Sequence, residues 1–143
     1  MSEVLKKRII LHEGYSDTPY FDHLGFATIG HGHRITDKDE FKEGRRYPKD
    51  QLLKLFEKDL EKAQMGADQL VGHIKELHIE AKNVITEMVF QMGTQGVRNF
   101  KNMISALEER DYQRANVEML DSKWNAQTPN RCQSLAKIMG TCA

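Results

Sequence analysis

The sequence predicts an α+β fold in which a long helix joins a small β-hairpin lobe to a mainly helical lobe. Three observations support this prediction. Strand-forming residues flank a glycine within 18–29, apolar residues recur every three or four positions over 48–67, and helical patterns fill most of the remaining chain. Because no repeat or linker interrupts residues 1–143, we expect a single domain, with the β-lobe at about 14–47 and the helical lobe at about 48–143 plus the first helix.

The first helix is predicted to begin at Ser2, a suitable N-cap, and to run to about His12. Gly14 then ends it directly after Glu13. This helix therefore brings an acidic side chain to the start of the β-lobe.

The segment 18–29 predicts a β-hairpin. Pro19 is unsuited to a helix interior, and Gly25 can adopt a positive φ in the turn. The strand-forming residues around them are Tyr20, Phe21, Phe26, Thr28 and Ile29. With the loop placed at 24–26, Asp22 lies opposite Thr28 on one face of the hairpin.

A polar connection is predicted for 34–47, with one short strand at 34–36. Pro48 suits the first turn of the long helix that follows. The inner face of that helix is predicted to consist of Leu52, Leu53, Phe56, Leu60, Ala63 and Ala67.

The C-terminal part of the chain predicts several more helices. Apolar residues between Ile79 and Met92 surround most of one helix, which indicates a buried central position. The GTQG sequence at 93–96 breaks that helix, Asp111 can cap a later one, and Thr128-Pro129 provides a cap and first-turn proline for the last.

Composition excludes several classes of protein. Lys plus Arg equals Asp plus Glu at 21 each, so no overall positive field favours nucleic acid. No signal-length apolar core and no run of 18 apolar residues occurs, so we expect neither export nor stable membrane association. The two cysteines, Cys132 and Cys142, are too few for a disulfide framework and indicate a reducing compartment. A helix between them would hold their Cα atoms ~15 Å apart, and only a tail that folds back could join them.

Two carboxylates and a hydroxyl meet at the junction of the first helix and the hairpin. Glycoside hydrolysis needs one carboxylic acid to protonate the leaving oxygen and one carboxylate to activate water or stabilise the cationic sugar. Glu13 and Asp22 can form such a pair, and the hydroxyl of Thr28 can help to hold a water. The alternative is that these acids are ordinary solvated or capping residues.

The segment HEGYSDTPYFDHLGFATIGHGH resembles the catalytic segment of the phage lysozymes, glycoside hydrolase family 24. That pattern is Glu, eight residues, Asp, five residues, Thr, then Thr-Ile-Gly-x-Gly-His. Two further blocks, MVFQMGTQGVRNF at 88–100 and KWNAQTPNR at 123–131, resemble the same family. The resemblance implies a lysozyme-like fold and a muramidase that cleaves the β-1,4 bond between N-acetylmuramic acid and N-acetylglucosamine.

The resemblance also implies roles for individual residues. Glu13 matches the general acid, while Asp22 and Thr28 match the residues that place the attacking water, which favours inversion. Arg131 matches an arginine that pairs with the catalytic glutamate, and His33 is expected to hydrogen-bond Asp59. The positions that match sugar-contacting residues are Arg34, Phe90, Met103 and Glu118.

No cofactor is implied, and we expect no metal site. His31 and His33 have a spacing that can bind metal on a strand, but no third ligand accompanies them.

The resemblance favours an endolysin that acts on peptidoglycan glycan strands for host cell lysis. Such an enzyme would be a monomer that stays in the host cytoplasm until a separate holin opens the membrane. Two alternatives are the lysozyme part of a tail or toxin, and a non-catalytic module that binds cell wall or a partner. A non-catalytic module would be expected to lack Glu13, Asp22 or Thr28, and all three are present.

Overall fold

The computed structural model describes residues 3–143, so the predicted cap at Ser2 lies outside the described residues. Within them the chain forms seven helices and three strands, which confirms the α+β prediction. In order they are α1 (Glu3–Glu13), β1 (Ser16–Phe21), β2 (Ala27–Gly30), β3 (His33–Arg34), α2 (Lys49–Val71), α3 (Ile79–Arg98), α4 (Lys101–Glu108), α5 (Tyr112–Leu120), α6 (Lys123–Gln127) and α7 (Pro129–Gly140).

The chain divides into two units, an N-terminal unit up to Glu61 and a C-terminal unit from Lys62. In the N-terminal unit the three strands form an antiparallel sheet in the order β1-β2-β3. Ile29 of β2 is fully buried against Tyr47 and Leu52, and this small core ties the sheet to the start of α2.

The hairpin register differs from the prediction. Tyr20, not Asp22, lies opposite Thr28, and the amide of Asp22 donates to the carbonyl oxygen of Phe26 at 2.9 Å. The loop therefore consists of residues 23–25, one position earlier than expected. Gly25 occupies the third loop position with φ of 88°, as a three-residue hairpin loop requires.

The connection between β3 and α2 is less solvated than predicted. Tyr47 is 9% exposed, and the ring of Phe41 packs edge-on against it with centroids 4.8 Å apart. The amide of Tyr47 donates to the carbonyl of Asp17 at 2.9 Å, and Arg46 forms an ion pair with the Asp17 carboxylate at 2.8 Å. These contacts hold the connection against β1.

The long amphipathic helix α2 is confirmed with one correction. Leu52, Phe56, Leu60, Ala63 and Ala67 are all buried, but Leu53 is 42% exposed. Leu53 lies at the edge of the apolar stripe, where it is turned away from the buried side.

The C-terminal unit is built around α3, whose buried residues include Ala81, Ile85 and Met88. The predicted break occurs at Gly93, where the backbone leaves the helical region at φ 81° and ψ 162°. A side chain at Gly66 of α2 would collide with Val89 and Thr94 of α3, so glycine permits this close packing of the two helices.

The ends of the C-terminal helices agree with the prediction in part. Asp111 caps α5 as predicted by accepting from the amide of Arg114 at 3.1 Å. Thr128 stands at the N-cap of α7, but its side chain makes no capping hydrogen bond. Helix α6, which Ser122 caps, was not predicted because five residues give too short a pattern.

Cys132 and Cys142 are separate buried thiols, and burial raises the pKa of the Cys132 thiol to about 11. None of the helices in residues 3–143 is long and apolar enough to span a bilayer.

Candidate active site

Glu13 is the last residue of α1, and Gly14 ends the helix by donating its amide to the carbonyl of Ile10 at 2.9 Å. The carboxyl group of Glu13 lies directly against Gly32, in the turn between β2 and β3. A Cβ atom added at Gly32 would lie only 2.7 Å from Cδ of Glu13. Any other residue at position 32 would therefore occupy the space that this carboxyl group needs.

Asp22 is held by the loop of its own hairpin. Its Oδ1 accepts hydrogen bonds from the amides of Leu24 and Phe26, each at 2.9 Å. These two bonds fix the carboxylate at the tip of the hairpin. Both of these hydrogen bonds from described residues go to Oδ1. Oδ2 can therefore accept a hydrogen bond from a water.

Thr28 is 3% exposed, and its hydroxyl donates to the carbonyl oxygen of Phe26 at 2.8 Å. A hydroxyl that donates its proton in this way still has lone pairs with which to accept one. Asp22 and Thr28 thus both bond to the backbone of Phe26, one to its amide and the other to its carbonyl. The structure brings these two predicted residues together at a single peptide segment.

The observed register keeps Asp22 and Thr28 on the same face of the sheet. Successive side chains alternate between faces, so Tyr20 and Asp22 share one face with Phe26 and Thr28. Asp22 and Thr28 are diagonal neighbours rather than the direct partners that were predicted. The prediction of direct opposition was wrong because it placed the loop one residue too late.

Tyr20 is a residue of this site that the sequence analysis missed. Burial raises the pKa of its hydroxyl above the usual value, and the negative charges of Glu13 and Asp22 raise it further. The phenol therefore lies within electrostatic range of both carboxylates and keeps its proton at neutral pH. Its two-residue spacing from Asp22 was the signal that could have identified it.

Arg34 is exposed and stands over the ring of Phe26, with Cζ 4.0 Å from the ring centroid. It pairs with Thr28 across β2 and β3, so it shares the face that carries Asp22 and Thr28. Its guanidinium is thus placed beside the predicted catalytic residues, where a sugar contact remains a prediction.

His33 makes the predicted hydrogen bond to Asp59 and a second one that was not predicted. Its Nδ1 lies 2.7 Å from Oδ2 of Asp59, and its Nε2 lies 3.0 Å from Oδ2 of Asp39. A carboxylate can only accept, so both nitrogens must donate for both bonds to form. This geometry selects the protonated imidazolium.

The two carboxylates outweigh the cost of burying a charge at His33. Partial burial acts to lower its pKa, but the hydrogen bonds and charges of Asp59 and Asp39 raise it above the usual value. Burial likewise opposes ionisation of Asp39, yet the bonds from the Thr36 amide and from His33 lower the pKa of Asp39. His33 therefore links β3 both to α2 and to the following loop.

The remaining predicted residues lie in the C-terminal unit. Phe90 is half-buried on α3, where it packs against the core, and Glu118 is partly exposed on α5. Met103 is fully buried in the core of this unit, so its side chain offers no surface to a sugar. The prediction that Met103 contacts substrate is not supported, because its apolar side chain fills the helical core instead.

Arg131 forms an ion pair with Glu87 that the sequence analysis did not anticipate. Nε of Arg131 lies 3.2 Å from Oε2 of Glu87, and the side chains are 10% and 0% exposed. Glu87 stands in an apolar stretch of α3, and a buried carboxylate there needs such a partner. At least part of the charge of Arg131 is thus balanced within its own unit.

A hydrogen-bonded network lies next to this pair along α3. Gln91 accepts from the indole of Trp124 at 3.0 Å and donates to the hydroxyl of Thr128 at 3.2 Å. These bonds connect α3 to α6 and to the start of α7. The hydroxyl of Thr128 in turn donates to the carbonyl oxygen of Trp124 at 3.4 Å.

No group of three or more metal-ligating side chains is found in residues 3–143. His31 instead directs its Nδ1 to the carbonyl oxygen of Gly14 at 3.0 Å.

Comparison with known proteins decides the family. The model of the phage lysozyme family matches residues 11–137, which include Glu13, Asp22 and Thr28. The chain belongs to the phage lysozyme family. This lysozyme is 32% identical to "Probable T4-type lysozyme 1" of Dictyostelium discoideum over 163 residues, covering 99% of this chain and 96% of that relative.

Two longer phage proteins also match this lysozyme. "Peptidoglycan hydrolase gp36" of Pseudomonas phage phiKMV is 28% identical, with 94% of this chain matched to 15% of that protein. "Pre-baseplate central spike protein Gp5" of Enterobacteria phage T4 is 28% identical, with 99% of this chain matched to 28% of that protein. The family match confirms the predicted fold and the prediction that the chain is a lysozyme, while the roles of its individual residues stay predictions.

Proposed function

We propose that this lysozyme hydrolyses the β-1,4 bond between N-acetylmuramic acid and N-acetylglucosamine in bacterial peptidoglycan, with inversion at the anomeric carbon. The name of the phiKMV relative, a peptidoglycan hydrolase, supports this substrate. The observation that carries the mechanism is the joint attachment of Asp22 and Thr28 to the backbone of Phe26.

In the proposed reaction the protonated carboxyl of Glu13 gives its proton to the glycosidic oxygen as the bond from that oxygen to C1 breaks. A water attacks C1 from the opposite side of the sugar ring. It donates one hydrogen bond to Thr28 and loses its other proton to Asp22, so Glu13 ends as a carboxylate and Asp22 as an acid.

The arrangement of Thr28 favours water rather than Asp22 as the nucleophile. Its hydroxyl proton is directed to the Phe26 carbonyl, so its oxygen is left as an acceptor for water. Direct attack by Asp22 would give a covalent glycosyl-enzyme and would have no use for such an acceptor.

The test is the loss of turbidity of Gram-negative cells whose outer membrane has been permeabilised. We expect Glu13→Gln to fold normally but to lose about 10²–10⁴ in rate, because an amide cannot supply the proton. Glu3→Gln, on the exposed start of the same helix, is the matched control and should lyse like the wild type. Lysis by Glu13→Gln at the wild-type rate would overturn the role proposed for Glu13, whereas absence of lysis by the wild type would favour the non-catalytic alternative.

For the biological role we propose an endolysin, a monomer that remains in the host cytoplasm until a separate holin opens the membrane. Membership of the phage lysozyme family supports this role. A tail-associated lysozyme is the second candidate, since the chain also matches 28% of a phage spike protein. A culture of bacteria that express the wild-type chain should stay turbid until the inner membrane is permeabilised. Lysis without that step would contradict the endolysin proposal.

A further inference from the structure

His31 binds the carbonyl group of Gly14, the residue that directly follows Glu13. Its Nδ1 lies 3.0 Å from the carbonyl oxygen of Gly14. Because a carbonyl oxygen only accepts, Nδ1 must carry the proton in this contact. Both the Nδ1-protonated neutral ring and the imidazolium can make this bond.

The ring of His31 is held in place from two sides. Its centroid lies 4.8 Å from the ring of Tyr15 and 5.3 Å from the ring of Phe56. Phe56 is 2% exposed on α2, so this contact fixes the imidazole against a buried side chain. The direction of the Nδ1 hydrogen bond is therefore set by packing.

His31 also precedes Gly32, the residue against which the Glu13 carboxyl group lies. The dipeptide His31-Gly32 thus lies against the end of α1 in two ways: Gly32 faces the Glu13 side chain, and the His31 ring donates to the carbonyl oxygen of Gly14. In the family pattern Thr-Ile-Gly-x-Gly-His, His31 stands at the variable position.

We propose that His31 is a positioning residue for Glu13, acting through its hydrogen bond to Gly14. This inference rests on the proposed function, in which Glu13 is the general acid. The imidazole sets where α1 ends relative to the turn between β2 and β3, and this sets the position of the Glu13 carboxyl group.

The expected effect is on the chemical step rather than on substrate binding. A shift of about 1 Å in a catalytic group can cost about 10²-fold in rate. His31 itself makes no proposed contact with the sugar. Loss of the hydrogen bond should therefore lower kcat while leaving KM close to its wild-type value.

Three substitutions separate the hydrogen bond from the ring contacts. His31→Phe keeps an aromatic ring but loses the donor, whereas His31→Asn keeps an N–H donor near the position of Nδ1 and loses the ring. His31→Leu resembles Asn in shape and lacks both. With soluble glycan strands as substrate, we expect kcat to fall roughly 10- to 100-fold in the Phe and Leu variants, and Asn to retain most of it.

A second measurement does not depend on activity. In protein labelled with ¹³C, the Glu13 carboxyl resonance at fixed pH should move in His31→Phe and His31→Leu and stay near its wild-type position in His31→Asn. This resonance tests the positioning role even if wild-type activity is absent, so failure of the proposed function can be told apart from failure of this inference.

Two results would overturn the inference. One is a kcat and a Glu13 resonance in His31→Phe that match the wild type. The other is an equal loss of kcat in the Asn and Leu variants, which would show that the hydrogen bond to Gly14 has no part in the effect. If the Phe variant does not fold, the comparison of Asn with Leu decides the question.

Discussion

Gly32 lies so close to Glu13 that a methyl group at position 32 would stand 2.7 Å from Cδ of the glutamate. The backbone at Gly32 also has a φ of 82°, which side chains other than hydrogen disfavour. The conformation of the turn and the position of the carboxyl group thus both depend on glycine.

We predict that Gly32→Ala abolishes most of the activity, because its methyl group displaces the Glu13 carboxyl by about 1 Å and such shifts cost about 10²-fold. The conformational strain should also cost about 1–2 kcal/mol of stability. Lysis assays and urea unfolding measure these two effects.

Gly44→Ala is the matched control for Gly32→Ala. Gly44 has a similar φ of 79°, but no atom lies within 4 Å of an added methyl group. It should lose similar stability and keep its activity. Equal activity in the two variants would contradict the steric argument.

Because His33 and Asp39 bind each other, we predict that the free energy of unfolding depends on pH. The raised pKa of His33 contributes stability below its unfolded value of about 6.5, and this is lost as pH rises through the folded value. The lowered pKa of Asp39 contributes stability above its unfolded value of about 3.9, and this is lost as pH falls through the folded value. Both contributions are present between these two values.

We therefore expect Asp39→Asn to lower the free energy of unfolding by about 1–2 kcal/mol at pH 5.5, and by less at pH 8.5, because raising the pH removes positive charge from His33. Urea unfolding at the two pH values provides the measurement, and Asp37→Asn on the exposed surface nearby is the control. A cost that does not change with pH would argue against the charged bond.

Substitutions at Thr28 test whether its hydroxyl is needed for catalysis rather than for folding. Thr28→Ala should lower kcat by about 10²-fold, because the water loses one of the two groups that orient it. Thr28→Ser keeps the hydroxyl and should retain much of the rate. Circular dichroism should show a folded protein in both cases, and an active Thr28→Ala would remove Thr28 from the mechanism.

The stereochemistry of the product provides a direct test of inversion. We expect the α-anomer to appear first from the β-linked substrate, as seen by proton magnetic resonance of fresh digests. A β-anomer appearing first, or a covalent adduct on Asp22, would show that Asp22 attacks the sugar itself.

The hairpin and the position of Asp22 within it could be predicted from the sequence, but the register between β1 and β2 could not. Gly25 can stand at the second or the third position of a three-residue loop, and the pattern of strand-forming residues fits both. In the structure Gly25 stands at the third position, and the amides of Leu24 and Phe26 donate hydrogen bonds to Oδ1 of Asp22. A side chain that completes a turn in this way leaves no periodic signal.

The partners of buried charges were harder still to predict. Asp37, Asp39 and Glu40 are close together in a polar stretch, and only the fold selects Asp39 for His33. Glu87 interrupts an apolar run without any local sign that Arg131, 44 positions later, lies beside it. Both pairings are set by contacts between segments far apart in sequence or by loop geometry, which periodicity does not report.

The attachment of Asp22 and Thr28 to Phe26 has a consequence for folding. These contacts span only residues 22–28, so the part of the site proposed to hold water is encoded in one contiguous peptide. Isolated hairpins close in about 1–10 μs, faster than contacts between distant segments form. The attachment of Asp22 and Thr28 to the Phe26 backbone can therefore form early, on the ribosome or during refolding, and segment 22–28 could be grafted as one unit onto another antiparallel hairpin.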